Sequence, residues 1–204
     1  NLGTLDVAGG DFVFATGNYM SSSTGLVKVA AGSTLWAGNT LFNAGNVQNN
    51  GTVSLYSTGG FGGVVVAAQA SINGAWTLEA GRGVFEGTHT VDSLAIRGGH
   101  LAGAGTLNTG SLAFSGGAIG WSSELGGGVL NVTGESQFSG GSALTIDYSH
   151  TVNLGGNATW SAGNERRMSI SLRAPTVVLK LPASPPSSAA VRTWISRSLV
   201  VSST

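Results

Sequence analysis

The chain has 204 residues, nine basic against nine acidic, 34 glycines and no cysteine. Balanced charge supplies no basic field for nucleic acid or an anionic membrane, and the lack of cysteine leaves redox compartment unread. No apolar run approaches the roughly 18 residues of a membrane span, and a 9% charged fraction is unusual for a globular enzyme.

From the first residues onward one pattern recurs: a small residue, an apolar–any–apolar centre, then a turn. It fits at starts 3, 25, 51, 74, 92, 110, 128 and 150, spaced 18 to 26 residues apart. The first hit places Leu5 and Val7 at its apolar positions, and the second Val27 and Val29. Val53 and Leu55 follow, then Trp76 and Leu78, then Leu94 and Ile96. Leu112 and Phe114, Leu130 and Val132, and Val152 and Leu154 complete the series. Side chains alternate across a strand, so these sixteen residues are predicted to share a buried face, and the residue between each pair to point outward. Those outward residues are Asp6, Lys28, Ser54, Thr77, Ala95, Ala113, Asn131 and Asn153, expected to form one ladder.

A second set of short strands fits between the hits: DFVFA (11–15), STLWA (33–37), GVVVA (63–67), GVFEG (83–87), GAIGW (117–121) and ATWSA (158–162). Paired glycines such as Gly98-Gly99 and Gly116-Gly117 close the strands, where positive φ is needed. No helical periodicity occurs before residue 164. Self-similarity of this kind predicts an all-β parallel β-helix (β-solenoid) of about eight coils of 18–26 residues. A β-sandwich also alternates but does not require the same face pattern at eight recurrent starts.

The segments GTLNTGSLAFSGGAIGW (105–121) and GGGVLNVTGESQFSGG (126–141) resemble repeats of filamentous-haemagglutinin-like adhesins and autotransporter passengers. The resemblance covers residues 1–164 and implies a right-handed parallel β-helix on a bacterial surface. No Asn-Pro dipeptide of the haemagglutinin secretion domain occurs, so the piece corresponds to a shaft. With Asn1 at its start, it is expected to be a mature form or a fragment.

Residues 165–204 differ from residues 1–164. They contain no glycine, all four prolines and five of the seven arginines. Residues 1–164 carry three basic and eight acidic groups, and residues 165–204 six and one. This basic tail reads as a terminal cap or polymer contact covering an open solenoid end, or as a reading-frame artefact.

No catalytic, cofactor-binding or metal residues emerge. His89, His100 and His150 lack ligand spacing and are expected to be solvated turn residues. GHLAGAG (99–105) leads into a strand, unlike a phosphate loop, which leads into a helix. Asn131-Val132-Thr133 and Asn157-Ala158-Thr159 are formal glycosylation sequons. Glycoside hydrolysis needs two carboxyl groups about 5–10 Å apart. The pairs to consider are Asp6 with Asp11 and Glu79 with Glu86, read as solvated acids, while Asp6 and Lys28 suit a surface ion pair. Trp36, Trp121, Trp160, Phe12, Phe14 and Phe85 fall in the second strand set, either stacking on sugars or, as favoured here, packing in the core.

These readings converge on a non-enzymatic, extracellular structural or adhesive segment of a bacterial surface or secreted protein. Its expected partners are a host or environmental surface, a glycan or protein receptor, or itself through the solenoid ends. Neither nucleic acid nor a cofactor is expected. A self-assembling filament subunit and a carbohydrate-active β-helix enzyme are the alternatives.

Overall fold

The computed structural model describes residues 3–14, 19–21, 25–57, 63–120, 127–140, 144–146, 150–161, 170–172, 177–181 and 199–203, with side chains at 19–21, 144 and from 160 onward excepted. The architecture is an all-β parallel solenoid of about six turns. Eight coils were expected.

Each turn contributes strands to three faces. The second face runs without a break from Asp11–Phe14 through Thr34–Ala37, Thr52–Leu55, Ala75–Leu78, 93–96, 111–114 and Ser136–Ser139 to Ala158–Ser161, all paired in parallel. The third face stacks Tyr19–Ser21, 40–42, 63–66, Arg82–Phe85, His100–Ala102, Ala118–Ile119, Leu144–Ile146 and Ile170–Leu172. The first face forms two runs, from Thr4–Val7 to 69–72 and from 88–91 to 178–180. Past residue 164, Val177–Leu181 pairs with Thr151–Leu154 and with Leu199–Ser203. The boundary expected at residue 164 lies outside the described residues.

Fifteen of the sixteen predicted inward residues are buried, and the sixteenth, Leu5, packs against the core from the first turn. Alternation is the cause: one apolar face per strand finds solvent exclusion only inside the coil. Inside the middle turns the core is aromatic. Phe42 and Trp76 meet edge-to-face at 5.9 Å, and Trp76 meets Phe85 at 6.1 Å. The Trp76 indole N–H donates to the Asn73 carbonyl at 2.8 Å, so its polar atom is satisfied in the core.

The corner between the second and third faces explains one column of glycines. Gly81, Gly99 and Gly117 have φ of 76°, 73° and 89° and stack in successive turns. A Cβ on Gly99 would lie 2.5 Å from the Gly81 carbonyl oxygen, the atom that accepts the His100 amide at 2.8 Å. Positive φ and a backbone one step away together leave room for hydrogen alone.

The eight residues expected to face outward do not form one ladder, and two of them, Ser54 and Thr77, are buried. Asp6 and Lys28 continue to Gln48 on the first face. Ser54, Thr77, Ala95 and Ala113 belong to the second face, where Trp36 precedes them and Gln137 follows. Asn131 and Asn153 return to the first face, above Asn108. First-face and second-face strands both bury one side, so a single template matches either, and unequal turn lengths let its hits change face. The second strand set divides the same way. The described parts of the first, second and last of these segments, 11–14, 34–37 and 158–161, lie on the second face, whereas 63–66, 83–85 and 118–119 lie on the third.

Candidate ligand-binding groove

The second face carries a groove of about 400 Å³ on its outer side. Its floor is small: Thr77, Ala95 and Ala113 stack in one row and Ala75 stands in the adjoining row between Thr52 and Ser93, because the intervening Trp76, Leu94 and Leu112 turn into the core. Along one flank run the hydroxyl-bearing residues Thr52, Ser93 and Ser111. Glu135 and Gln137 close the end nearer the C-terminus, and Arg97 borders the side. The guanidinium Nη1 of Arg97 lies 2.9 Å from Glu79 Oε1 in the preceding turn. With the Arg97 side chain 61% exposed, this ion pair contributes at most about 1 kcal/mol and chiefly fixes the arginine's direction.

Trp36 stands two ladder steps before Thr77 on the same face. Its ring meets Tyr56 edge-to-face at 5.9 Å, and its indole N–H donates to Asp11 Oδ2 at 3.4 Å. It is half-buried on the outer side, which corrects the expectation of core packing; register puts Leu35, its strand neighbour, inside. Phe85 is in the core as expected. Phe14 is partly buried against the core, while Phe12 is 41% exposed beside it at a ring separation of 5.1 Å. Both lie on Asp11–Phe14, which among the described residues pairs with Thr34–Ala37 at one edge of the second face. Trp121 and the Trp160 side chain lie outside the described residues.

The remaining candidates do not converge on this groove. Asp6 pairs in register with Lys28, and Asp11 receives the Trp36 indole. Glu79 is held by Arg97, and Glu86 contributes its backbone carbonyl to His89 Nε2 at 2.6 Å. His89 and His150 are buried, against the expectation of solvated turns. His89 sits in register with core Leu107 and reaches the Phe85 ring at 6.2 Å. His150 occupies space left by Gly128, whose Cβ would approach the imidazole Cδ2 at 3.4 Å. His100 is half-buried, with Nδ1 3.1 Å from the Gly120 carbonyl oxygen. Among the described residues no three His, Cys, Asp or Glu side chains gather as a metal site.

A feature the template missed is a chain of side-chain amides on the first face. Asn131 Nδ2 donates to Asn108 Oδ1 at 2.8 Å, and Asn153 Nδ2 to Asn131 Oδ1 at 2.6 Å. The recurring signal was present: LNT (107–109), LNV (130–132) and VNL (152–154) each place asparagine between an inward apolar residue and another inward position. One sequon asparagine, Asn131, is thus tied into the ladder, whereas Asn157 is exposed. Among the described residues no helix is long and apolar enough to cross a membrane. No family model matches the chain, and no curated protein or solved structure matches it.

Proposed function

We propose that the chain is an extracellular structural or adhesive β-solenoid segment of a bacterial surface or secreted protein, akin to haemagglutinin-like and autotransporter shafts, acting through its outer faces. The observation that carries this reading is the outer side of the second face: a shallow groove crossing successive turns, floored by small side chains. Small ligands are normally held in enclosed concave pockets with convergent polar groups. An open, repetitive groove suits extended contact. The reading is one of binding without catalysis, because Glu135 is the sole carboxylate of the lining and glycoside hydrolysis employs two. Saturable retention of the purified chain on extracellular matrix or on whole cells is the expected result. Failure to bind either surface, at concentrations where the chain is folded, would remove the reading.

Self-assembly is the second reading, and a separate observation favours it. Among the described residues Phe12 and Val13 are 41% and 50% exposed on a strand at one edge of the sheet. Such an edge presents backbone donors and acceptors to a neighbouring chain. Sedimentation at low and high salt, with and without residues 165–204, separates this reading from the first. A chain that stays monomeric at high concentration in low salt is not a filament subunit.

A further inference from the structure

We propose that the groove of the second face binds a neutral linear glycan laid along the solenoid axis. The proposal rests on the adhesive reading above and specifies its ligand. Length comes first. The lining draws on five successive turns, from Thr52 to Glu135. Neighbouring strands stand about 4.8 Å apart, so the groove is about 19 Å long. That is the shape of a chain molecule and exceeds a compact metabolite.

Chemistry narrows the class of chain. The groove offers a floor of small side chains at Thr77, Ala95 and Ala113, and beside it a row of Thr52, Ala75, Ser93 and Ser111 that carries three hydroxyls. A pyranose ring is amphipathic in the same sense, with an apolar C–H face and a hydroxyl rim. An extended peptide fits less well. Peptides gain affinity by adding a strand to a free edge, and the floor strands here are already paired on both sides.

Charge narrows it again. Arg97 is offset by Glu79 and Glu135 adds a negative charge, so the groove and its border carry no net positive charge. Acidic polysaccharides therefore meet a site without the excess of cations that would balance their carboxylates. Beyond the groove, Trp36 and Tyr56 offer an aromatic surface on the same face, where a longer glycan would stack.

Titration calorimetry on the full chain tests this, with cello-, xylo- and manno-oligosaccharides of increasing length as probes and polygalacturonate as the acidic comparator. At least one neutral series is expected to bind, with affinity rising with length until the groove is filled. Ala113→Gln and Ser111→Gln, which fill floor and flank from outward positions, are each expected to weaken binding about tenfold. Their thermal midpoints stay at the wild-type value. Thr90→Gln, on the outer side of the first face, leaves binding unchanged. The proposal is overturned if no neutral series binds, if polygalacturonate binds more tightly, or if both groove variants bind like Thr90→Gln. Retention on matrix without glycan binding would overturn it while leaving the adhesive reading in place; loss of both would remove the two together.

Discussion

Leu112 and Ala113 are neighbours on one strand with opposite fates, and placing the same substituent at each measures what the solenoid interior contributes. Leu112 is 2% exposed, in register with Leu94 on one side and Ser136 on the other. Its amide donates to the Glu135 carbonyl at 3.0 Å, so the strand is pinned and does not slide inward to close a void. Leu112→Ala therefore costs the transfer of the lost methyls plus most of the cavity, about 3 kcal/mol. For a chain of this size that lowers the thermal midpoint by about 6–12 °C. Leu112→Asp is worse, because a carboxylate enters the core without a partner, and a loss above about 4 kcal/mol is expected. Ala113→Asp places the same group in water and costs about 1 kcal/mol or less, mainly strand propensity. Urea unfolding followed by circular dichroism measures all three. Hydrogen exchange then reports whether the damage concentrates in the turns touching residue 112, as nearest-neighbour coupling in a repeat protein requires. Equal losses for Leu112→Asp and Ala113→Asp would refute the face assignment on which the groove depends.

Other substitutions probe the corner, the amide chain and the ion pair. Gly99→Ala meets both positive φ and the Gly81 carbonyl, and is expected to cost about 2–3 kcal/mol. Gly32→Ala, with φ of 76° but nothing within 4 Å of its Cβ, costs about 1 kcal/mol, and the two unfolding midpoints compared directly show the share due to crowding. Asn131→Ala breaks two amide hydrogen bonds at once and is expected to lose about 1–2 kcal/mol, more than Asn108→Ala, which breaks one. A double-mutant cycle between these positions checks the order. Arg97→Ala changes stability by under about 1 kcal/mol, and the difference shrinks further when unfolding is repeated at high salt.

The apolar–any–apolar pattern was readable because it reports one strong physical preference, burial of alternate side chains. It holds equally for Leu94 on the second face and Leu130 on the first. For the same reason it carried no information about which face a strand occupies. Face is decided by turn length and by glycine corners, whose geometry depends on the coil below. His89 shows a related limit. A histidine among Thr88 and Thr90 reads as solvated, yet the strand parity that continues from Val91 turns it inward, where the Glu86 carbonyl satisfies it. The groove was hidden for another reason. Ala95 and Ala113 read as a flat ladder until the positions of Arg97, Glu135 and Gln137 around them gave it sides.

The register between Thr88–Ile96 and Thr106–Phe114 has a consequence for how such a chain changes length. Eight residue pairs across these strands share one offset, from Thr88 with Thr106 to Ile96 with Phe114. The tripeptides Ser93-Leu94-Ala95 and Ser111-Leu112-Ala113 are identical. Leu94 is already in register with Trp76, and Leu112 would take the same place were residues 88–105 excised. The join would bring Gly87 to Thr106 and shorten the rod by one rung, about 4.8 Å, without asking any side chain to change environment class. A single cooperative unfolding transition in that shortened protein would show it. Tandem duplication of the same stretch would do the reverse, so the reach of the molecule is adjustable in discrete steps by recombination alone, independently of what its surface holds.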